Sequence, residues 1–256
     1  MTPHVIRRGD PDGAPVLLIH CALAHSGAWA GVMAGLRDHA CTAFDLPGHG
    51  QSPGWDAARD YQAQCVAWAA DLIDGPAHVV GHSFGGTVAL RLAVEQPGKV
   101  ARLTLIEPVY FAAVQGHDRA AFDAHEAAFA PIVADYQAGD MAAMAQKFTA
   151  MWGTGQRWED IPTEARAALA AQMPLIVAQG AGITDDSGGV MNPGVLERVT
   201  CPVTLIRGAQ TQAIVPAIHA ALRARLPQAQ EHVLEGAGHM SPMTHPRAVA
   251  RLIRPE

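Results

Sequence analysis

The hexapeptide Gly81-His82-Ser83-Phe84-Gly85-Gly86 is the segment best equipped to do chemistry. It matches G-x-S-x-G, follows a Val79-Val80 pair and precedes a stretch with helical spacing. The glycines allow a tight strand-to-helix turn that lifts the Ser83 hydroxyl out of a sheet, beside a helix N-terminus. An incidental serine in a glycine-rich turn would give the same short match without the strand before it and the helix after it. A serine hydroxyl is a poor nucleophile unless a base lies within hydrogen-bond reach. Among thirteen histidines, His239 has the best placement, flanked by glycines in Gly236-Ala237-Gly238-His239-Met240 after the last strand-type run. His82 adjoins Ser83, but a neighbour in such a turn points away, so it reads as packing. His49 lies in a turn and His245 at a helix start. Attack on an acyl carbon creates an oxyanion, which needs two fixed backbone N–H groups. Phe84, the residue after Ser83, is expected to supply one. The other is expected from the loop between His20 and Trp29.

The elements that must hold these residues alternate along the chain. Val16–Ile19, Thr42–Phe44, His78–Val80, Leu103–Ile106, Val203–Ile206 and Glu231–Leu234 are short apolar runs of buried-strand type. Between them, Trp29–Leu36, Tyr61–Ile73, Gly85–Val94 and Pro216–Leu226 have helical spacing. Thr244-His245-Pro246 reads as the opening of a last helix, with Thr244 as N-cap. Strands separated by helices imply right-handed β-α-β units and a mostly parallel sheet flanked by helices. From 109 to 196 no strand signal occurs. Ala120–Tyr136, Met141–Trp152 and Thr163–Val177 are rich in Ala and Met at helical spacing. The expected organisation is an α/β core built from 1–108 and 197–256, with 109–196 inserted as a helical unit.

Composition excludes several function classes. The 256 residues carry a net charge of −6 with no basic run, so no electrostatic footprint for nucleic acid exists. No apolar stretch reaches the length of a membrane span. Met1–Arg8 has neither the apolar region nor the cleavage site of a secretory signal. Cys21, Cys41, Cys65 and Cys201 form no C-x-x-C pair and read as free thiols in a reducing compartment, making a cytoplasmic protein the simplest expectation. There is no H-E-x-x-H and no G-x-x-x-x-G-K-[ST], and the chemistry calls for no metal or cofactor.

Four stretches together resemble the α/β-hydrolase superfamily: His20 to Trp29, Phe44-Asp45-Leu46-Pro47-Gly48-His49-Gly50-Gln51-Ser52, the Gly81–Gly86 elbow, and Gly236–His239. They span nearly the whole chain in the family's order. The resemblance implies that Ala22, two residues after His20, gives the second oxyanion N–H, and that the helical insertion is a cap over the active site. The family usually has glycine directly after that histidine; here Cys21 stands, read as a small packing residue. The family's acid is usually an Asp in the loop after the strand that is here Val203–Ile206. That loop, Arg207-Gly208-Ala209-Gln210-Thr211-Gln212, has no carboxylate, so the acid has moved or been lost. Glu107 ends the preceding strand run, where certain haloalkane dehalogenases of the family carry their acid. Glu107 is therefore the expected triad acid, with Asp185 and Asp186 in reserve.

The expected function is a serine hydrolase that cleaves a small carboxylic ester or lactone through an acyl-enzyme on Ser83. A mainly apolar acyl pocket is expected under an insertion that carries Phe111, Phe122, Phe129, Phe148, Met144, Met151 and Trp152, many of which must form the insertion's own core. The alternatives are C–C bond hydrolysis or cofactor-free perhydrolysis on the same triad, or a ligand-binding module that keeps the fold without turnover. A dehalogenase or epoxide hydrolase would need a carboxylate nucleophile at the elbow, where this chain has Ser83.

Overall fold

The computed structural model describes residues 2–254. Met1, Pro255 and Glu256, at the ends of the expected core segments, lie outside the described residues. The six apolar runs become strands β2 (Ala14–Ile19), β3 (His39–Phe44), β4 (Ala77–His82), β5 (Val100–Ile106), β6 (Val203–Gly208) and β7 (Ala229–Leu234), and β1 (Val5–Gly9) precedes them. They form one sheet in the order β1-β3-β2-β4-β5-β6-β7. β1 runs antiparallel to β3, and every other pairing is parallel. β1 lies outside the runs read as strands. Its exposed Arg7 and Arg8 interrupt the apolar pattern, and such charges suit a sheet edge, where they discourage further pairing.

The helices are α1 (Ala30–Met33), α2 (Tyr61–Asp71), α3 (Phe84–Glu95), α4 (Ala112–Gln115), α5 (Arg119–Gln137), α6 (Met141–Trp152), α7 (Thr163–Ala171), α8 (Met173–Ile183), α9 (Ile214–Arg225), α10 (Ser241–Thr244) and α11 (Pro246–Ile253). Parallel strands are apolar on both faces because helices cover both. α1 and α11 bury Val32, Met33 and Val249 against Val16 and Leu18 on one face. α2, α3 and α9 bury Cys65, Val88 and Ile218 with Leu17, Val79 and Leu105 on the other.

Residues between β5 and β6 contain α4 to α8 and no strand. Asp118 and Asp140 start α5 and α6 by accepting the Ala121 and Ala143 N–H groups at 3.0 and 2.9 Å. The helical run expected over Thr163–Val177 is split at Gln172. Pro174 sits in the first turn of α8, where its missing N–H costs nothing, but a proline cannot continue α7 without losing a helical bond. Ile132, Met144, Ala145, Met173 and Ile176 give this region its own small apolar cluster. Thr244 does not cap the last helix: it closes the short α10, and α11 starts after His245 with no side-chain cap.

The strand order fixes where a site can form. From β2 the chain passes through α1 to β3 on one side; from β4 it passes through α3 to β5 on the other. A crevice opens where such neighbouring connections diverge, beyond the carboxyl ends of the strands. His20 to Ala24 follow β2 and Ser83 follows β4, so both reach that crevice.

Candidate active site

Ser83 alone joins β4 to α3 and takes φ 54°, a left-handed conformation that costs a side-chain-bearing residue about 1–3 kcal/mol. Its neighbours leave no alternative path. A Cβ on Gly81 would lie 2.1 Å from the Gly85 carbonyl oxygen, and one on Gly85 would lie 2.3 Å from that of Ile19. The Ser83 N–H donates to the Ile106 carbonyl at 2.8 Å, tying the turn to β5.

Ser83 Oγ lies 2.9 Å from His239 Nε2. On the opposite edge of the imidazole, Nδ1 lies 3.0 Å from Glu107 Oε2. Glu107 follows β5 with φ 51°, and its N–H donates to the Ile206 carbonyl at 2.8 Å. Its side chain therefore crosses to the neighbouring strand's loop, which has no acid of its own. There Gly208 N–H donates to Oε1 at 2.6 Å and the Thr211 hydroxyl donates to Oε2. Glu107 is fully buried. Burial pushes its pKa up, but the bonds from His239, Thr211 and Gly208 outweigh it and hold the carboxyl below its usual range. The reserve acids are elsewhere. Asp186 accepts the Tyr110 hydroxyl and the Val190 and Met191 N–H groups, and Asp185 lines a cavity wall.

Three other histidines brace the site, and the sequence reading gave His82 and His49 no such part. His82 does not merely pack: its Nε2 donates to the His239 carbonyl at 2.8 Å, so the residue before Ser83 holds the loop of His239. His20 donates from Nδ1 to the Cys21 carbonyl at 2.7 Å and accepts the Leu46 N–H on Nε2 at 2.9 Å. His49 Nε2 accepts the Leu23 N–H at 3.1 Å. Burial lowers the pKa of His20 and His82 to about 3 and of His49 to about 4, so all three act as neutral braces near pH 7. The residue with positive φ in this loop is Leu23, at 60°, and Cys21 is buried there without strain of that kind. With the Leu23 N–H bonded to His49, the Ala22 N–H makes no hydrogen bond among the described residues. Phe84 opens α3, where the first N–H groups have no acceptor within the helix.

Above Ser83 lies a cavity of about 910 Å³. Phe111, Phe129, Phe148, Met144 and Trp152 line it, while Phe122 and Met151 pack into the core. The Trp152 ring meets the His239 ring edge-on at 4.6 Å between centroids. Gln212 Nε2 donates to the Met151 carbonyl at 2.7 Å, fastening the end of α6 to the loop after β6. Three of the four exposed large apolar side chains among the described residues, Val133, Val177 and Met243, stand around this cavity. Among the described residues, no group of three or more His, Cys, Asp or Glu is placed to hold a metal ion, and no helix is long and apolar enough to cross a membrane.

Residues 16–252 match the family model described as the alpha/beta hydrolase family. The chain belongs to that family. It is 31% identical over 266 aligned residues to the lipase LipV of Mycobacterium tuberculosis, covering 98% of this chain and 96% of the relative. It is 30% identical to the pimeloyl-(acyl-carrier protein) methyl ester esterase of Methylococcus capsulatus, covering 94% of this chain and 93% of that one. Among solved structures, a hydrolase from Pseudomonas aeruginosa superposes with a TM-score of 0.74 at 23% identity, over 97% of this chain and 91% of that one. That likeness shows the shared alpha/beta hydrolase fold.

Proposed function

We propose that this chain is a serine ester hydrolase that cleaves a small carboxylic ester or lactone through an acyl-enzyme on Ser83. The observation that carries the reading is the continuous contact Ser83 Oγ–His239 Nε2–Nδ1–Glu107 Oε2, at 2.9 and 3.0 Å. Similarity over the whole chain to proteins named as a lipase and a methyl ester esterase supports it. The Glu107 carboxylate accepts a hydrogen bond from Nδ1–H, which leaves Nε2 unprotonated and free to take the proton of Ser83. Oγ bonds to the acyl carbon and the carbonyl oxygen becomes an oxyanion, received by the N–H groups of Phe84 and Ala22. His239 passes its proton to the leaving alcohol as the ester C–O bond breaks. Water then attacks the acyl carbon, His239 takes its proton, and Ser83 leaves with that proton restored.

The helices between β5 and β6 serve as a cap that shields this chemistry, and the apolar cavity beneath them receives the acyl part. Four unpaired cysteines fit a reducing compartment, and we assign the protein to the cytoplasm on that ground. A panel of p-nitrophenyl esters of graded acyl length, with a matching series of lactones, tests the reading. Turnover of uncharged esters that depends on acyl length is expected. A panel in which no ester or lactone is hydrolysed would overturn it and favour a ligand-binding module.

A further inference from the structure

Gln179 on α8 is only 3% exposed, and its Nε2 has no hydrogen-bond partner among the described residues. Buried amides are almost always paired, so an orphan needs a reason. Nε2 of Gln179 belongs to a side chain that lines the cavity holding Ser83, one helical turn beyond Ile176 and one before Ile183, which line it too. The cavity that Gln179 lines is walled on this side largely by apolar groups such as Phe129, Met144 and Phe148. A second neutral polar side chain, His125, stands there, its ring tilted against Phe111 and edge-on to Trp152, with centroids at 4.2 and 6.0 Å. Burial lowers its pKa to about 4, so it too carries no charge near pH 7.

The charges nearby narrow what the amide can meet. No Lys or Arg lines the cavity, whereas Glu126 and Asp185 do. Burial, then the charges of Asp185 and Asp123, raise the Glu126 pKa, a sign that this wall already resists further negative charge. An incoming carboxylate would meet repulsion and no counter-ion.

We propose that Gln179 is a specificity residue that hydrogen-bonds a neutral oxygen substituent, a hydroxyl or oxo group, on the substrate of Ser83. The inference rests on the hydrolase reading above and narrows its substrate class. The amide can donate to an oxo oxygen, or pair with a hydroxyl in either direction. An all-hydrocarbon acyl group would leave it unpaired in the occupied cavity, and a carboxyl-terminated one would face Glu126 and Asp185. Sites built to bond a polar substrate group discriminate strongly against analogues that lack it.

The test is a set of aryl esters of one acyl length, bearing hydroxyl or oxo groups at successive carbons. The plain hydrocarbon ester and the carboxyl-terminated ester serve as references. In the wild-type protein at least one position should give a kcat/KM about tenfold or more above the plain ester, with the carboxyl-terminated ester poorest. Gln179→Met keeps the shape and removes the polar atoms, so the preference should shrink to within about twofold. Its Tm should be equal to or above wild type, because an unpaired buried group is removed. Gln179→Leu provides the same comparison if the Met variant does not fold. The inference is overturned by a wild-type protein with no preferred position, by a preference that survives in the variant, or by a lower Tm with loss of activity on every ester. If no ester is hydrolysed at all, the hydrolase reading itself fails; plain-ester turnover without a preferred position defeats only this inference.

Discussion

Glu107 and His239 are 132 positions apart, yet Oε2 of one lies 3.0 Å from Nδ1 of the other. The carboxylate starts from β5 and reaches across to the loop after β6, where Gly208 and Thr211 hold it. The longer Glu side chain makes that reach, and no acid is needed in the loop itself.

Replacing Glu107 with Gln should lower kcat by about ten-thousand-fold, because the amide can present its NH2 to Nδ1 and favour the wrong tautomer. Thr211 already touches the same oxygen, so Thr211→Asp added to Glu107→Ala should recover part of the loss. Steady-state kinetics on one ester decide the matter. A Glu107→Gln variant within about tenfold of wild type would remove this residue from the proposed triad.

His82 predicts a different signature. Its bond to the His239 carbonyl holds the proposed base from the side away from Ser83's substrate. His82→Leu should reduce kcat by about ten- to a hundred-fold with little change in KM, since small misplacements of a base are costly. His82→Gln, which keeps a donor, should recover part of it. Equal kcat in all three proteins would show that the bond positions nothing.

Acid should destabilise the fold well above the carboxylate range. Burial holds His20, His78 and His82 near pKa 3 and His49 near 4, against 6.5 for the free side chain. Below pH 6.5 the unfolded chain therefore binds protons that the folded chain refuses. This contribution is complete above pH 6.5 and shrinks as pH falls toward 4, by about 1.4 kcal/mol per pH unit for each fully effective imidazole. Urea midpoints at pH 7.5, 6 and 5 should fall in that order. His78→Gln, at the far end of β4 from Ser83, should flatten the slope by about one proton. A midpoint unchanged from pH 7.5 to 5 would contradict the prediction.

Cys21 lies in the loop assigned to the oxyanion, and burial pushes its thiol up to about 12. The thiolate is the reactive form, so folded protein at pH 8 should leave Cys21 unmodified by iodoacetamide while urea-unfolded protein is alkylated there. Mass mapping gives the answer. Prompt alkylation of Cys21 in the folded state would show that the loop opens.

Local chemistry made much of this legible in the sequence. The glycines of the elbow and the apolar runs of β2, β4, β5 and β6 declare themselves because their causes are steric and periodic. Glu107 was found by the absence of an acid in Arg207–Gln212 together with its place at the end of a strand. Other features depend on partners distant in the chain. β1 pairs with β3 through its backbone, with Arg7 and Arg8 exposed, and no period-2 pattern marks it. His82 and His49 bond to residues 157 and 26 positions away, so their types alone say nothing of their tasks. Gln172 and Thr244 show the limit at helix ends, where tertiary packing and a following proline decided the boundary.

The central claim is that Ser83 becomes covalently acylated with His239 as its base. Intact mass spectrometry of the protein treated with a fluorophosphonate measures it most directly. Wild type should gain one phosphonyl adduct, mapped to Ser83; Ser83→Ala should gain none while keeping its Tm; His239→Ala should react far more slowly. An adduct of equal yield in Ser83→Ala, or no adduct on folded wild type, would contradict the account.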